Sequence, residues 1–431
     1  MKTGGRIAAA IEVLAALETQ HRPAADALSD WGKSHRFAGS GDRSAIGSLV
    51  YDVLRQRSSL AAQMGEATPR ALAIAAAPRA FGLSLDELAA ALDGSEHAPQ
   101  PLSDDERARL AAGLPADVDD AIAADVPEWL AHSLRHTFGD RMVAEGRALA
   151  ERAPVDLRVN TLKADRDKVL KALSRFAAEA TRFSPIGVRI PPSPGATKSP
   201  HVEGETAHGK GWFEVQDEGS QIAAAMAGAG PRQQVLDLCA GAGGKTLALA
   251  AAMHNTGQIY AYDDDKRQLR PIFERLKRAG VRNVQVLDGG DEAALRALGP
   301  RFDVVLVDAP CTGSGTWRRR PDSKWRLKPE ALHARQKQQM EVLQLAALLV
   351  KPGGRIVYVT CSILESENGD IVDRFLGFNA DLRLVPYADV WRQRFASEPP
   401  ASADGGSGGL LLTPASHGTD GFFIATLERS P

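Results

Sequence analysis

Two cysteines stand where apolar runs end. Cys311 follows the run in LVDAPCTGSGTW and Cys361 follows the run in VYVTCS, and both runs read as buried strands. The carboxyl ends of parallel strands meet at the ligand-binding edge of a doubly wound sheet, so the two thiols can share one pocket. A lone cysteine is usually a small buried residue, and we interpret Cys239 mainly in that way, with its backbone near a ligand. For Cys311 and Cys361 together we favour a chemical role.

A thiol beside a methyl donor suits methylation of a pyrimidine at carbon 5. That carbon is a poor nucleophile until a thiolate adds to carbon 6, which makes it enamine-like and able to attack a sulfonium methyl group. The thiol needs activation, because its ordinary pKa of about 8.5 leaves little thiolate at neutral pH. Asp308, three residues before Cys311 in DAPC, is placed to pair with the ring nitrogen and stabilise charge on the base. A turn or helix-cap aspartate is the alternative interpretation of Asp308.

The DAPC motif also discriminates between acceptor atoms. Enzymes that methylate exocyclic amines tend to carry Asp/Asn-Pro-Pro-aromatic at this strand end, with the aromatic ring stacked on the base. Here a thiol, that of Cys311, stands in place of the ring. The motif therefore favours carbon over nitrogen as the methyl acceptor.

A glycine-rich turn indicates the cofactor. VLDLCAGAGGKT, residues 235–246, reads as a strand, a turn and a helix start, where backbone N–H groups are free to bind a ligand. Asp263 ends the next strand, 263 − 243 = 20 residues after Gly243, where doubly wound folds place a carboxylate on ribose hydroxyls. A P-loop needs glycine where Cys239 stands, and a nicotinamide-binding turn needs a third glycine. Asp237 followed by a loose glycine cluster fits a turn that holds S-adenosylmethionine, and a plain tight turn is the alternative.

The composition is that of an ordinary globular protein. The 431 residues are 44% hydrophobic and 25% charged with a net charge of −2, so a nucleic-acid partner must be met by a local basic patch. Three widely spaced cysteines form neither a disulfide framework nor a CxxC zinc motif, which favours a reducing cytoplasm and no metal. We read the N-terminal apolar run as an amphipathic helix rather than a signal peptide, and we expect no membrane span.

Three regions differ in pattern. Residues 1–150 carry apolar residues at helical spacing and predict an all-α domain. Residues 151–228 combine a short strand in LRVNTL, a helix in DRDKVLKAL and a loop-rich stretch over 183–210, which predicts a small α/β domain. Residues 229–431 alternate strands and helices, which predicts a doubly wound, mostly parallel sheet of the α/β class.

Several ordered motifs carry a family resemblance. DLCAGAGGKT, DAPCTGSGTWRRRPDSKW, VYVTCS with ENGDIV, and GTDGFFIATL together resemble the Nop/Sun-type (RsmB-like) RNA cytosine-5 methyltransferases, and LRVNTLK and FEVQDEGSQ upstream also fit. The resemblance implies a class I, Rossmann-like methyltransferase fold that takes S-adenosylmethionine and RNA. It implies that Cys361 is the nucleophile and that Cys311 helps to resolve the covalent product. DNA cytosine-5 enzymes use the Pro-Cys thiol instead, so the presence of both thiols favours RNA.

The same resemblance implies a set of cofactor contacts. An acid after the third strand belongs to the set, and we favour Asp291 over Asp288 because its distance to the fourth strand matches the family better. The family often has Ala-Ala-Pro-Gly-Gly where this chain has AGAGG, and the retained glycines lead us to expect that binding survives. The expected contacts are Asp237, Cys239, Ala240, Gly241, Ala242, Gly243, Gly244, Lys245, Asp263, Asp291 and Asp308.

A basic stretch directly after the Cys311 motif predicts RNA contact. TWRRRPDSKWRLK, residues 316–328, offers guanidinium groups for phosphates and tryptophan rings for unpaired bases, whereas a solvated face is the alternative. LRVNTLK adds Arg158 and Lys163, which we expect in the same groove. A paired target cytosine would have to be flipped out of its helix. The expected RNA-binding residues are Arg158, Arg318, Arg319, Arg320, Lys324 and Trp325.

The N-terminal region has its own resemblance. ALSDWGKSHRFAGSGDRSAIGSLVYDVLRQR is similar to the NusB-like RNA-binding domain of some family members, in which His35, Arg36 and Arg43 have either RNA-binding or structural roles. We therefore expect a monomeric, cytoplasmic methyltransferase that acts on ribosomal RNA, with transfer RNA as the alternative. A non-catalytic ribosome-assembly factor and a P-loop hydrolase are competing hypotheses. The cysteine pair, Asp308 and Lys245 oppose the first, and Cys239 opposes the second.

Overall fold

The protein, in this computed structural model, divides into two compact units. The structure describes residues 1–20, 22–193, 195, 200–406 and 408–431. The helical unit comprises Met1–Arg152, Trp317–Leu327 and the described residues of Pro192–Pro200, and the sheet unit comprises the rest. Part of the predicted loop-rich stretch over 183–210 lies outside the described residues. The three predicted domain boundaries stay predictions.

Helices occupy the first third of the chain, as the apolar spacing predicts. These are α1 (Thr3–Gln20), α2 (Ala24–Ser34), α3 (Ser40–Arg55), α4 (Arg57–Met64), α5 (Pro69–Phe81), α6 (Leu85–Ala91), α7 (Asp104–Ala112), α8 (Asp120–Ala123), α9 (Glu128–Phe138) and α10 (Met142–Leu149). Later helices are α11 (Arg166–Ala172), α12 (Thr206–Gly209), α13 (Glu218–Met226), α14 (Gly244–Ala252), α15 (Lys266–Leu269), α16 (Ile272–Ala279), α17 (Glu292–Arg296), α18 (Pro321–Arg326), α19 (Pro329–Leu349), α20 (Gly369–Gly377), α21 (Tyr387–Arg394) and α22 (Pro414–His417). None of the described helices has both the length and the apolar character that crossing a membrane requires.

Local sequence fixes several helix ends. Ser84 and Ser103 each open a helix with a reciprocal capping box to a glutamate three residues later. The segment DKRQLRPIFERLKRAG, which reads as one helix, is two, because Pro271 interrupts α15 and α16. Gly280 ends α16 with a φ of 73°, the left-handed cap that the sequence predicts.

The basic stretch that we expected to bind RNA packs largely inside the helical unit. Lys324 is 1% exposed, and its Nζ donates to the Arg55 carbonyl at 2.9 Å. The Trp325 indole donates to the Leu54 carbonyl at 2.6 Å, and the Arg55 guanidinium donates to the carbonyl of Arg318, which is itself buried. The apolar stems and rings of this stretch fill core space, so a structural role accounts for Arg318, Lys324 and Trp325.

Strands form two sheets in the sheet unit. They are β1 (Val155–Val159), β2 (Glu179–Ala180), β3 (Gly187–Ile190), β4 (Phe213–Val215), β5 (Gln234–Asp237), β6 (Gln258–Ala261), β7 (Val284–Val286), β8 (Phe302–Asp308), β9 (Val350–Thr360), β10 (Leu382–Val385), β11 (Leu410–Leu412) and β12 (Phe422–Arg429). The smaller sheet is antiparallel, in the order β2-β3-β1-β4. The larger sheet has the order β10-β12-β9-β8-β5-β6-β7, with β11 paired to β12.

The larger sheet confirms the predicted α/β class. Strands β7, β6, β5, β8 and β9 are parallel, and β12 and β10 add an antiparallel edge. The parallel strands are apolar on both faces: Val304, Val305, Leu306 and Val307 of β8 are fully buried. Their carboxyl ends therefore emerge at one edge, where β5 leads into the glycine-rich turn and where β8 and β9 lead into the two cysteines.

The buried Lys324 makes the free energy of unfolding change with pH in the alkaline range. Burial lowers the pKa of Lys324 from 10.5 to about 8, so between these values the folded protein binds fewer protons than the unfolded chain. Stability therefore rises with pH across this window, by on the order of 3 kcal/mol at most, because each pKa unit is worth about 1.4 kcal/mol. Lys324→Met should lose that rise.

Urea unfolding at a series of pH values measures the effect. The difference in unfolding free energy between the wild type and Lys324→Met should grow from pH 8 to pH 10.5. Lys328→Met, which removes an exposed lysine, is the matched control and should track the wild type. A constant difference between the wild type and Lys324→Met would show that Lys324 is charged inside the fold.

Candidate active site

Adjacent strand ends bring the two thiols into contact. Strands β8 and β9 pair in parallel, with Asp308 opposite Val359, so the segments that follow them start side by side. The sulfur atoms of Cys311 and Cys361 lie 3.4 Å apart, within hydrogen-bonding distance. The Ala309 N–H donates to the Val359 carbonyl and extends the pairing beyond β8. The two thiols lie together as expected, and neither is among the residues that line the cavity described below.

The Cys311 thiol keeps its proton at neutral pH. The hydrogen bond with Cys361, together with burial, raises the pKa of Cys311 well above its ordinary value, and the nearby carboxylate of Glu367 acts in the same direction. A thiol that keeps its proton can donate it in the hydrogen bond to the other sulfur. Either sulfur can be the donor in this contact, and a protonated Cys311 is able to fill that role.

Asp308 is held by a lysine from the glycine-rich turn. The Lys245 ammonium, which is 7% exposed, lies 2.6 Å from Asp308 Oδ2 and 5.3 Å from the Phe422 ring centre. A buried lysine needs such a counter-ion, because an unpaired charge away from water is costly. Asp308 is itself about one-third exposed, so its carboxylate remains accessible at the edge of the sheet.

A cavity of about 1070 Å³ opens beside this pair. Its wall includes the end of β5, the glycine-rich turn, the segment after β6 and one face of α19, all of the sheet unit. Burial and surrounding carboxylates raise the pKa of Cys239, so its thiol stays protonated against the ligand space. The predicted cofactor residues that line the cavity are Cys239, Ala240, Gly241, Ala242, Gly244, Lys245, Asp263 and Asp308.

The turn and Asp263 offer the groups that S-adenosylmethionine needs. Asp263 Oδ2 accepts the Gly241 N–H at 2.9 Å, and burial raises the pKa of this carboxyl group at the cavity wall. Gly243 precedes α14 with a φ of 81°, which glycine adopts without strain. A carboxylate for hydroxyl or ammonium groups and a helix start for a carboxylate suit this ligand's ribose and amino-acid ends.

Asp237 lies beneath the turn rather than in the cavity wall. Its side chain is fully buried, Oδ2 accepts the Thr246 hydroxyl at 2.6 Å, and Oδ1 has no partner among the described residues. Burial raises the pKa of Asp237 to about 7. In this state Asp237 fastens the start of α14 to the end of β5.

Arg158 supports the turn, whereas we expected it to contact RNA. Its guanidinium is buried and donates to the Gly244 carbonyl at 2.7 Å and to Gln216 Oε1 at 2.8 Å. Burial lowers its pKa to about 10. The alternating pattern of LRVNTL predicts the strand but cannot show that the arginine points at backbone rather than at solvent. Lys163 likewise donates to backbone carbonyls, those of Arg278 and Lys210.

A second arginine, which no sequence motif singles out, holds the same turn. Arg275 of α16 donates to the Ala242 carbonyl at 2.9 Å and is ion-paired with the buried Glu214 of β4. Glu214 also pairs with Arg278. The smaller sheet thus contributes two buried charged groups, Arg158 and Glu214, to the support of the cofactor turn.

The acid after the third parallel strand is the least settled site residue. Asp288 forms an exposed ion pair with Lys266, and Asp291 caps α17 by accepting the Ala294 N–H. Neither lines the cavity, whereas Glu292 does. The choice of Asp291 as a cofactor contact stays a prediction, and its helix cap gives it a structural role.

Comparison with known proteins identifies the family. A sequence profile described as 16S rRNA methyltransferase RsmB/F matches residues 226–428, and an RsmF/B-like ferredoxin-like domain matches residues 126–193. A probable ribosomal RNA small subunit methyltransferase B from Synechocystis is 32% identical over 310 residues, which cover 70% of this chain and 67% of that protein. The chain belongs to the RsmB/F family of rRNA methyltransferases. The predicted resemblance is confirmed.

Solved structures agree with the fold of this RsmB/F-family protein. PH0851 aligns over 100% of this chain and 99% of its own, with a TM-score of 0.73 and 27% identity. NSun6 from Pyrococcus horikoshii, solved with the S-adenosylmethionine analogue SFG, covers 71% of this chain and 98% of its own, with a TM-score of 0.61. At 22% identity the second likeness concerns the fold alone. The predicted cofactor of this family member, S-adenosylmethionine, is confirmed.

The turn should tolerate no side chain at Gly243. A Cβ there would approach Ile272 Cγ1 to 2.5 Å, so the turn or α16 must shift. Gly243→Ala should weaken S-adenosylmethionine binding by at least about tenfold, equivalent to about 1.4 kcal/mol, in a calorimetric titration. Gly299→Ala is the matched control, because Gly299 also has a positive φ, of 63°, but its Cβ would meet no atom within 4 Å. Equal binding by the two variants would contradict this account of the turn.

Proposed function

We propose that this protein methylates carbon 5 of a cytosine in ribosomal RNA through a covalent bond between Cys361 and carbon 6. The observation that carries the proposal is the contact of two thiols, 3.4 Å apart, on the segments that follow β8 and β9, with β8 ending at Asp308, which pairs with Lys245 in the wall of the cofactor cavity. The names of its relatives support small-subunit ribosomal RNA as the substrate. Transfer RNA is the alternative substrate.

The attack would start from the contact between the two thiols. In this proposal the Cys311 thiol, whose pKa is raised, would keep its proton and donate a hydrogen bond to the Cys361 sulfur, which would support a thiolate there. The Cys361 sulfur then adds to carbon 6, and the electron pair of the C5–C6 double bond moves to carbon 5 and the ring. When bound, S-adenosylmethionine supplies the electrophilic methyl group that carbon 5 takes.

Asp308 and Lys245 would manage the charge on the base. Because Asp308 is ion-paired with Lys245, it carries a negative charge before the base enters. Pairing this carboxyl group with ring nitrogen 3 requires a proton between them, which the Lys245 ammonium can donate as charge builds on the ring and take back when the C5–C6 double bond re-forms. Stabilisation of the charge that develops on the ring is then electrostatic.

Release would break the bond that the attack formed between Cys361 and carbon 6. The proton on carbon 5 is lost to water, the C5–C6 double bond re-forms and the bond between carbon 6 and Cys361 breaks. The Cys311 thiol, which stays protonated, donates to the departing Cys361 sulfur. This role agrees with the family resemblance, which assigns the Pro-Cys thiol to resolution of the covalent product.

Single replacements of the two cysteines separate attack from release. Cys361→Ala should abolish methyl transfer and form no adduct, because the attacking sulfur is gone. Cys311→Ala should accumulate a protein–RNA adduct, because attack proceeds and release fails. A denaturing gel of each variant, incubated with RNA and S-adenosylmethionine, measures the slow-migrating adduct, with the wild type as the reference. An adduct with Cys361→Ala alone would reverse the two roles.

Two exposed arginines remain candidates for RNA contact. Arg319 and Arg320 lie in the basic stretch of the helical unit and are exposed, unlike Arg318 and Lys324. Replacing both with Gln should lower the salt dependence of RNA binding, a log–log slope, by about 1.5, because each phosphate contact contributes about 0.7 to 0.9. Filter binding at several salt concentrations measures this slope. Arg383→Gln, on the edge strand β10, is the control, and an equal change there would mean a non-specific charge effect.

The cellular and oligomeric state complete the proposal. We propose a cytoplasmic monomer, because the three free cysteines suit a reducing compartment and because the proposed catalytic residues all belong to one chain and one unit. Sedimentation of the purified protein with and without RNA tests the monomer directly.

A further inference from the structure

We propose that Glu367 is a positioning residue that sets the distance between the two thiols. It ends the turn after β9, is fully buried and follows Cys361 by six positions. Its carboxylate accepts hydrogen bonds from Thr312 and Ser362, and these residues directly follow Cys311 and Cys361. One side chain therefore fastens both cysteine-bearing segments. The functional meaning of the distance rests on the proposed function, whereas the distance itself does not.

The contacts divide between the two carboxylate oxygens. Oε1 accepts the Thr312 backbone N–H at 2.9 Å and the Gln339 side-chain amide at 3.0 Å. Oε2 accepts the hydroxyl groups of Thr312 and Ser362, each at 2.5 Å. Four donors satisfy a buried charge that would otherwise be costly. An apolar side chain could fill the same space but could not accept these four hydrogen bonds.

Neighbouring residues fix Glu367 in turn. The Tyr358 hydroxyl donates to the Glu367 carbonyl at 2.6 Å. Asn368 accepts the Thr360 hydroxyl at 2.6 Å and donates to the Ser362 carbonyl at 3.1 Å. These bonds lie on both sides of Cys361 in the chain, so the turn that carries Glu367 is bound to the strand end that carries the nucleophile. The carboxylate then reaches across to the segment after β8.

Two substitutions of Glu367, by glutamine and by aspartate, separate the effect of side-chain length from the effect of charge. In Glu367→Gln the amide oxygen can still accept both N–H groups, and the amide nitrogen can donate to the two hydroxyls, which also accept. All four contacts survive without the charge. Glu367→Asp keeps the charge, but its side chain is one methylene shorter and cannot hold both segments at their present separation.

The rate at which the thiol pair oxidises to a disulfide reports the distance between the two sulfur atoms, and its measurement does not depend on methyl transfer. Diamide takes two electrons and two protons from Cys311 and Cys361, which form a disulfide as diamide is reduced to the hydrazine. The sulfur atoms must close from 3.4 Å to about 2.05 Å, so the rate is sensitive to their placement. Mass spectrometry of alkylated digests, with Cys239 as an internal reference thiol, measures that rate.

Glu367→Gln should form the disulfide within about twofold of the wild-type rate, and Glu367→Asp should be slower by about tenfold or more. Glu365→Asp, a carboxylate of the same turn, is the matched control and should match the wild type. A wild-type rate in Glu367→Asp, or equal slowing in Glu367→Gln, would overturn the proposal. If Glu367→Asp does not fold in a thermal melt, the double variant Thr312→Val, Ser362→Ala carries the test and should be slowed likewise.

Catalysis supplies the second measurement. Glu367→Asp should lower kcat by about tenfold or more and leave the KM for S-adenosylmethionine unchanged, because misplacement of reacting groups by about 1 Å is costly and Glu367 does not line the cofactor cavity. Glu367→Gln should restore kcat. If the oxidation pattern holds but no cytosine is methylated, Glu367 positions the thiols and the proposed function is wrong; if the oxidation pattern fails, the positioning role is wrong whatever the reaction.

Discussion

The parallel pairing of β8 with β9 is the constraint on which the site depends. It sets two strand ends side by side, and a cysteine follows each end, so that residues far apart in sequence meet at 3.4 Å. Both strands are buried on both faces, which makes their register costly to change. A slip by one residue would reverse the facing of every side chain and separate the thiols. The placement of the two thiols therefore depends on backbone hydrogen bonds, which take no direct part in the reaction.

Three charged residues support the glycine-rich turn at the same edge of the sheet. Arg158 and Arg275 hold carbonyls of the glycine-rich turn, and Glu214 compensates the second arginine. The side chain of Lys245, at the start of α14, extends from the turn and pairs with Asp308 at the end of β8. The turn is thus tied both to the smaller sheet and to the strand that leads into Cys311. This explains how a turn without the family's proline can still have a defined shape.

Strand ends, the glycine-rich turn and the thiol pair could be predicted because apolar runs and glycine spacing are local signals. The fate of the cations could not, because burial of Lys324 or Arg158 depends on partners distant in sequence, the carbonyls of Arg55 and Gly244. The spacing of basic residues is the same for a solvated face and for snorkelling stems in a core. The role of Glu367 could not be predicted for a similar reason, since the four groups that donate hydrogen bonds to it come from three separate segments.

Which sulfur bonds to the base is the central claim, and it can be measured directly. RNA that contains 5-fluorocytosine should stop the wild-type protein at the covalent stage, because release requires a base to remove a proton from carbon 5 and the fluorine that stands there cannot be removed in this way. Digestion and mass spectrometry of the trapped complex then identify the modified peptide. We predict that the nucleotide is attached to Cys361. Attachment to Cys311, or no covalent complex from a preparation that methylates ordinary RNA, would contradict the account.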